Sequence, residues 1–587
     1  MTIFPPLRSR GSAPYLLRSA AAIALIALSG LLLSAYIPRA ITGAPGIGST
    51  AEKAPSLTRE QADGPGLRFE ISFAASAHPE PITGRVYVAI SRQREGGGMR
   101  RGTGTVSGPI TQAGETGTPL FGKNVEDLQP GQPVTIDGSV FGHPIQSLDR
   151  IPSGEYWVQG FVNIYTKFVR ADGHTVWLHM DQWEGQNWRR SPGNMFSQPQ
   201  QVTIDQAAGG TIRFVCDRVT PPIPVPEETG DVKIIRFESG ILSAWWGHPI
   251  YIGATIRLPK DYDEHPNVHY PVNYIQGHFS TRPPRAPDEE ALAQEWPEGD
   301  IPRFIYVTLQ HPSLYYDDSY GVNSENNGPY GDAIMQELIP AVEERFRIIR
   351  QPWARQLSGG STGGWIAVAH QVFYPDFYGG CWASCPDPLD FHGYQIVNIY
   401  EDDNAYWLDQ EWMRIERPNR RRPDGNINSM MKDENWYELV VGDKSRSGGQ
   451  WDIWEATYSP VGPDGYPKRI WDKHTGEIDH EVAEHWRENY DLTYILERDW
   501  ETLGPKLVGK LHIFMGDMDS YYLNNATHML HRFLESTKAP YYQGEVVFQP
   551  LAPHCWGPRG IEALRLMTEH IEHYAPPQAD RTSWRFR

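Results

Sequence analysis

A chain of 587 residues carries enough sequence for two to four domains at roughly 150 residues each, far more than one core needs. Hydrophobic residues at 40%, aromatics at 12% and charged residues at 21% exclude wholesale disorder. A formal charge of −19, from 53 basic and 72 acidic residues, repels a phosphate backbone and excludes nucleic acid as the expected partner.

The first 51 residues contain no Asp or Glu, and Arg8, Arg10 and Arg18 precede an apolar run from Ser19 to Ile37. As a helix that run of 19 residues reaches about 28 Å, near the hydrocarbon thickness of a bilayer. Residues 1–40 are therefore expected to be a cleaved signal peptide or an N-terminal membrane anchor, with the arginines holding the leading end in the cytoplasm. Everything downstream would be exported, periplasmic or extracellular, and tied to the inner membrane wherever the segment is retained. Residues 41–65, rich in Gly and Pro, predict a flexible linker.

From Gly66 the rhythm changes to period two: Leu67, Phe69, Ile71 and Phe73, then Val86, Val88 and Ile90, then Tyr156 and Val158, and later Ile212 and Phe214. With turn signals at Pro130-Gly131, Asp137-Gly138 and Asp172-Gly173, residues 66–220 predict half-buried strands of a β-sandwich domain. Pro221, Pro222, Pro224 and Pro226 stiffen a linker over 221–231.

Residues 232–587 alternate strand, loop and helix. Strands are expected at Lys233 to Glu238, Ile252 to Leu258, Val272 to Gln276, Phe304 to Leu309, Ala354 to Leu357, Gly379 to Ala383, Lys510 to Met515 and Glu545 to Gln549. Several are unbroken apolar runs, as in a parallel sheet covered on both faces, so the region predicts a three-layer α/β/α sandwich. Ile334, Leu338, Ile339, Val342 and Phe346 mark one face of a helix, with Glu343 and Arg347 on another and a kink expected at Pro340.

Leu357 leads from a strand into Gly359-Gly360-Ser361-Thr362-Gly363, and an apolar helix follows. The five-residue Gly-x-Ser-x-Gly pattern is a weak signal alone. Its position between strand and helix is what a serine nucleophile requires, because the turn must be too tight for side chains two residues either side. The N–H of Thr362, at the helix start, would face a developing oxyanion. An activated serine needs a histidine base and an acid to orient it, each after a later strand. The strand ending in Gly516-Asp517-Met518-Asp519 offers Asp519, with Asp517 as the alternative acid, and the last strand runs into His554. His528 and His531 fall on a helical stretch and are expected to be structural.

This half of the chain, about residues 232–575, resembles the "Putative esterase" family of α/β-hydrolases, which includes feruloyl, acetyl xylan and enterochelin esterases and mycolyltransferases. The matching segments are Tyr270-Pro271-Val272-Asn273-Tyr274, Gly331-Asp332 through Glu337-Leu338-Ile339-Pro340 to Phe346-Arg347, the Ser361 turn, and Tyr374-Pro375-Asp376-Phe377. The resemblance implies an α/β-hydrolase fold. Enterochelin esterases also carry a preceding β-sandwich. Many members have His-Gly after the third strand, whereas this chain has Gln276-Gly277-His278, so the second oxyanion donor is left open between Gly277 and His278.

Four cysteines, Cys216, Cys381, Cys385 and Cys555, are too few for a disulfide scaffold and lack zinc-site spacing. Cys555 follows His554, and Cys381 and Cys385 lie on the strand and loop after the Ser361 helix, so a bond from Cys555 to one of them, Cys385 preferred, would pin the histidine loop. Tannases resemble this in bridging cysteines next to their serine and histidine. About 120 residues separate the strand near Ser384 from Lys510, and those at about 390–505 predict a cap holding eight of the 20 tryptophans. Most of these would form the cap's own core, some would shape an acyl or sugar pocket, and Tyr315 to Tyr320 could also line it. Asp387, Asp390, Asp402 and Asp403 read as solvated loop charges, and neither a metal nor another cofactor is expected.

The function these features predict is an exported serine hydrolase acting on a small-molecule or carbohydrate-linked carboxylic ester through Ser361, His554 and Asp519. An acyltransferase with the same triad, or a surface binding protein with a silent hydrolase scaffold, are the alternatives. Oligomeric state has no signature in the sequence.

Overall fold

The computed structural model describes residues 66–95 and 106–587. The expected signal or anchor and the linker after it lie outside the described residues. Among the described residues no helix is long and apolar enough to cross a membrane.

Between residues 66 and 219 the chain builds two principal sheets. In the smaller, Leu67–Phe73 lies between Gly210–Cys216, with which it runs parallel, and Val134–Ile136. The larger centres on the antiparallel strands Ile82–Ser91, Leu120–Leu128 and Gly154–Ile164. Period-two alternation sends one set of side chains to a shared core: Phe69, Ile71 and Phe73 meet Val86, Val88, Val158 and Val162. Ile82–Ser91 was expected to be half-buried and is buried on both faces. Its other set, Tyr87 and Ala89, packs with Trp188 and with Val440 and Val441 of the cap.

The second half is an eight-stranded sheet. Its strands in chain order are β1 (Val232–Glu238), β2 (Tyr251–Arg257), β3 (Val272–Gln276), β4 (Ile305–Gln310), β5 (Arg355–Gly360), β6 (Gly380–Ser384), β7 (Leu511–Gly516) and β8 (Glu545–Gln549). They lie side by side in the order β1-β2-β4-β3-β5-β6-β7-β8. The pairs β1/β2 and β2/β4 are antiparallel and the rest parallel, so the sheet is mixed only at one edge. The strong burial of β3, β4 and β5 follows from helices on both faces. Helix α1 (Thr362–Phe373) leaves β5 and is buried along nearly its whole length.

The helical stretch Tyr330–Arg345 buries Ile334, Leu338, Ile339 and Val342 as its pattern requires. Pro340 follows a π-helical segment, Ile334–Leu338, in which the wider i→i+5 pattern interrupts the α-helical ladder just before the proline. Glu343, expected on the polar face, is buried. It accepts from Arg355 Nε at 2.7 Å and from Tyr274 Oη at 3.0 Å, which stabilises its charge away from water.

The cap between β6 and β7 holds two β-hairpins and the helices α2 (Met431–Val441), α3 (Gln450–Tyr458), α4 (His480–Tyr490) and α5 (Leu492–Leu507). Trp451, Trp454, Trp471 and Trp486 are buried in it, while Trp412 is exposed. A buried ammonium, Lys473 Nζ, lies 2.8 Å from Glu438 and also contacts Asp452. The larger N-terminal sheet grips the end of α2: Arg85 Nε donates to Val440 O at 2.9 Å and the Tyr87 hydroxyl to Val441 O. A final helix, α6 (Ile561–Tyr574), covers the sheet after β8.

Candidate active site

Ser361 sits between β5 and α1 with φ 56° and ψ −123°, a backbone conformation that side chains other than glycine rarely adopt. The glycines of the motif explain how the turn fits. A Cβ on Gly359 would stand 2.1 Å from Gly363 O, and one on Gly363 would stand 2.1 Å from Gln276 O and 2.9 Å from Gly277 Cα. The turn is thus pressed against the loop after β3. That contact brings Gly277 beside the first turn of α1, where the N–H of Thr362 lacks an intrahelical acceptor.

The loops after β7 and β8 bring acid and base together. His554 Nδ1 lies 2.7 Å from Asp519 Oδ2. Asp519 is fully buried, and its other oxygen accepts from the N–H groups of Tyr521 at 2.9 Å and Leu523 at 3.3 Å. Asp517, the alternative acid, points elsewhere and pairs with His528 at 3.1 Å. The ring of Tyr521 stands edge-on to His554 with centroids 4.9 Å apart.

Cys385 and Cys555 form a disulfide, with Cα atoms 4.8 Å apart, and Cys385 Sγ lies 4.0 Å from His554 Nε2. Cys381 on β6 and Cys216 are buried free thiols, and burial raises both above the usual thiol range. The disulfide joins the loop after β6 to the histidine loop directly beneath the imidazole.

Ser361, His554, His278, Asp387 and Trp454 all line one cavity of about 480 Å³. In this arrangement Ser361 Oγ donates to Asp387 Oδ1 at 3.2 Å. Asp387 and Asp390, expected to be solvated, are buried instead, and Asp402 is paired with Arg417 at 2.8 Å. The second oxygen of Asp387 accepts from the Tyr320 hydroxyl and from Thr362 Oγ1 at 3.1 Å, and burial raises its pKa. Helix α3 of the cap completes the network: Trp454 Nε1 donates to Tyr320 Oη at 2.6 Å, and Gln450 Oε1 accepts from Tyr316 Oη at 2.6 Å. Loop Tyr315 to Tyr320 therefore contributes to the site as expected, and Trp454 is the cap tryptophan that faces the cavity.

His278 stands about half-exposed at the cavity edge, 3.1 Å from Asp317 and 3.6 Å from Asp318. Burial opposes its charge, and the two carboxylates outweigh that, pushing its pKa up to about 11. It is a cation at neutral pH. On the far wall Arg420 lies over the Tyr521 ring, and burial raises the carboxyl of Glu434 with help from the charge of Glu115.

Among the described residues, three groups bring potential metal-ligating atoms within 4.8 Å of one another: Cys385, His554 and Cys555; His278, Asp317 and Asp318; and Asp390, His392 and Asp491. The disulfide occupies the sulfurs of the first. The second is internally ion-paired, and the third supplies caps, since Asp390 accepts from His392 N and Asp491 from Tyr494 N.

Asp387, Gln450, Arg420 and Glu434 were not among the residues expected here. Asp387 had one usable signal, since it lies just beyond a parallel strand's C-terminal end, where sites of α/β sheets collect. The others are brought in by the cap and leave no local trace.

The "Putative esterase" family model matches residues 250–489, a span that includes Ser361 and ends before Asp519 and His554. Among solved structures, a ferulic acid esterase is similar at 14% identity and TM-score 0.33, over 58% of this chain and 99% of its own. FphF, a fluorophosphonate-binding serine hydrolase of Staphylococcus aureus, is similar at 15% identity and TM-score 0.32, over 58% of this chain and 98% of its own. An S-formylglutathione hydrolase from Agrobacterium tumefaciens gives 11% and 0.30, over 58% and 92%. Likenesses this low carry no functional inference. No curated protein matches the sequence. The family match places residues 250–489, the segment that holds the Ser361 turn, with the esterases of the α/β-hydrolase family, which are carboxylic-ester hydrolases.

Proposed function

We propose that the protein is an exported serine esterase in which Ser361 is the nucleophile, His554 the general base and Asp519 the orienting acid. The observation that carries this is the 2.7 Å contact between His554 Nδ1 and buried Asp519, on the cavity that also holds the strained Ser361 turn. With its Nδ1 proton held by Asp519, His554 leaves Nε2 free to accept. Ser361 Oγ turns from Asp387 toward Nε2, gives up its proton and attacks the ester carbonyl. The N–H of Thr362 and an N–H of the Gly277–His278 turn donate to the oxyanion, each such donor contributing about 3 to 4 kcal/mol. His554 then protonates the leaving alcohol, and water attacks the acyl-enzyme by the reverse proton path.

The Cys385–Cys555 disulfide supports export, because such bonds persist in oxidising compartments. We assign residues 66–220 as a β-sandwich domain, on the core shared by its two principal sheets, and 232–587 as the catalytic domain with the cap at about 390–505. The substrate is an ester small enough for one moiety to enter the cavity of about 480 Å³.

Treatment with a fluorophosphonate probe followed by peptide mapping tests the assignment. One adduct at Ser361, with p-nitrophenyl acetate hydrolysis abolished by Ser361→Ala, is the expected result. Labelling at another serine would sink it.

A further inference from the structure

A second cavity, of about 410 Å³, lies back to back with the first. Gly360 and Cys555 belong to the walls of both. Its floor is the sheet face beneath α6: Ile275 of β3, Trp382 of β6 and Phe514 of β7 face Leu564 and Met567, three residues apart on that helix. These side chains give it an apolar interior, and its size falls in the range of about 300–1,000 Å³ typical of small-molecule sites.

The lining also carries two exposed arginines, Arg285 and Arg559. Arg559 donates to Cys555 O, and among the described residues neither guanidinium is paired with a carboxylate. Both guanidinium groups belong to the wall of the apolar pocket itself, so they offer positive charge at its edge. An arginine leaves its fork of donors open to a carboxylate, which it binds in two-pronged fashion.

We propose that this cavity is a binding site for an amphipathic organic carboxylate, with an aryl or medium-length alkyl tail between the sheet and α6 and its carboxylate on Arg285 and Arg559. Because Cys555 forms part of the wall, a ligand seated here touches the loop that carries His554. The site stands apart from the catalytic cavity, and the proposal does not require Ser361 to be a nucleophile.

Decanoate, titrated calorimetrically into the full chain, is the probe. The expected result is one decanoate per chain, with decyltrimethylammonium not taken up. Reversing both charges, Arg285→Glu with Arg559→Glu, should weaken binding about tenfold or more. Filling the cavity by Leu564→Trp should abolish binding with the thermal midpoint preserved, and Ala563→Phe gives the same test should the tryptophan variant fail to fold. Removing the cations of the catalytic cavity, His278→Ala with Arg420→Ala, should leave the affinity unchanged. The proposal is overturned by no uptake at millimolar decanoate, by affinity indifferent to the charge reversal or to filling, or by binding lost in the His278/Arg420 variant. p-Nitrophenyl acetate hydrolysis, read on the same samples, reports separately on the esterase assignment.

Discussion

Asp519→Asn gives the sharpest test of the proposed chemistry, because the structure dictates which way the amide must point. One carboxylate oxygen of Asp519 accepts two backbone N–H groups, from Tyr521 at 2.9 Å and Leu523 at 3.3 Å, and the other faces His554 Nδ1 at 2.7 Å. In the variant the amide oxygen is held by the two N–H donors, so the NH₂ group must face Nδ1. Nδ1 then has to accept, its proton moves to Nε2, and the nitrogen that should take the proton of Ser361 is blocked. The geometry survives and the tautomer is wrong, a change that costs on the order of 10⁴ in kcat, or about 5 kcal/mol of barrier. Steady-state hydrolysis of p-nitrophenyl acetate measures the loss, and the ¹⁵N shifts of His554 report the tautomer. Asp517→Asn is the control, since Asp517 bonds His528, and should change kcat by less than about twofold because an exposed pair contributes little. Retention of more than about a tenth of the activity in Asp519→Asn, or a larger loss in Asp517→Asn, would refute the reasoning.

Replacing both bridging cysteines, Cys385→Ser with Cys555→Ser, opens a loop spanning 170 residues; chain entropy sets a loss of up to about 5 kcal/mol, and acylation should slow as His554 loosens. An unaltered thermal midpoint together with unaltered burst kinetics would rule that out. Lys473→Met leaves Asp452 and Glu438 buried without their cation, which should destabilise the protein by about 3–5 kcal/mol, seen as a fall in the urea midpoint. Burial holds His311 and His370 at about 4, below the unfolded 6.5. The unfolded chain therefore binds protons first as pH falls from 6.5 to 4, so stability is full above pH 6.5 and declines on acidification by up to about 3 kcal/mol per histidine. Urea unfolding at pH 7.5 and pH 5 checks the sign; greater stability at pH 5 would contradict it.

What was legible in the sequence was whatever is written locally. The eight strands of the main sheet fall within a few residues of their expected positions because unbroken apolar runs bounded by turns mark buried strands. The Ser361 turn was legible because its glycines answer steric demands at Gly359 and Gly363. The contact of Asp519 with His554 was legible from their places after strand ends, and the bond of Cys385 to Cys555 from the loop position of Cys385 beside β6. Asp387 was missed because its burial is made by residues 63 to 67 positions away, Tyr320 and Gln450, and a loop aspartate carries no mark of a helix that folds over it from the cap. Glu343 was placed on a polar face for the same reason, since only Arg355 and Tyr274 make that face an interior one. Tyr87 and Ala89 gave an alternation with their neighbours that could not reveal the second partner lying beyond the sheet.

The grip of Arg85 and Tyr87 on the last turn of α2 bears on how substrate reaches Ser361. The roof is bolted to a neighbouring sheet at the end of α2 and hydrogen-bonded through Trp454 and Gln450 of α3 to Tyr320 and Tyr316, so the part of it over the serine is held against swinging. Entry is then a matter of side-chain rotation at the mouth, by groups such as His278, on the nanosecond scale of exposed rotamers and not the microsecond-to-millisecond scale of hinged lids. Turnover in such an enzyme would depend little on solvent viscosity, and cutting away the N-terminal sheets would free the roof and turn a fixed doorway into a flapping one.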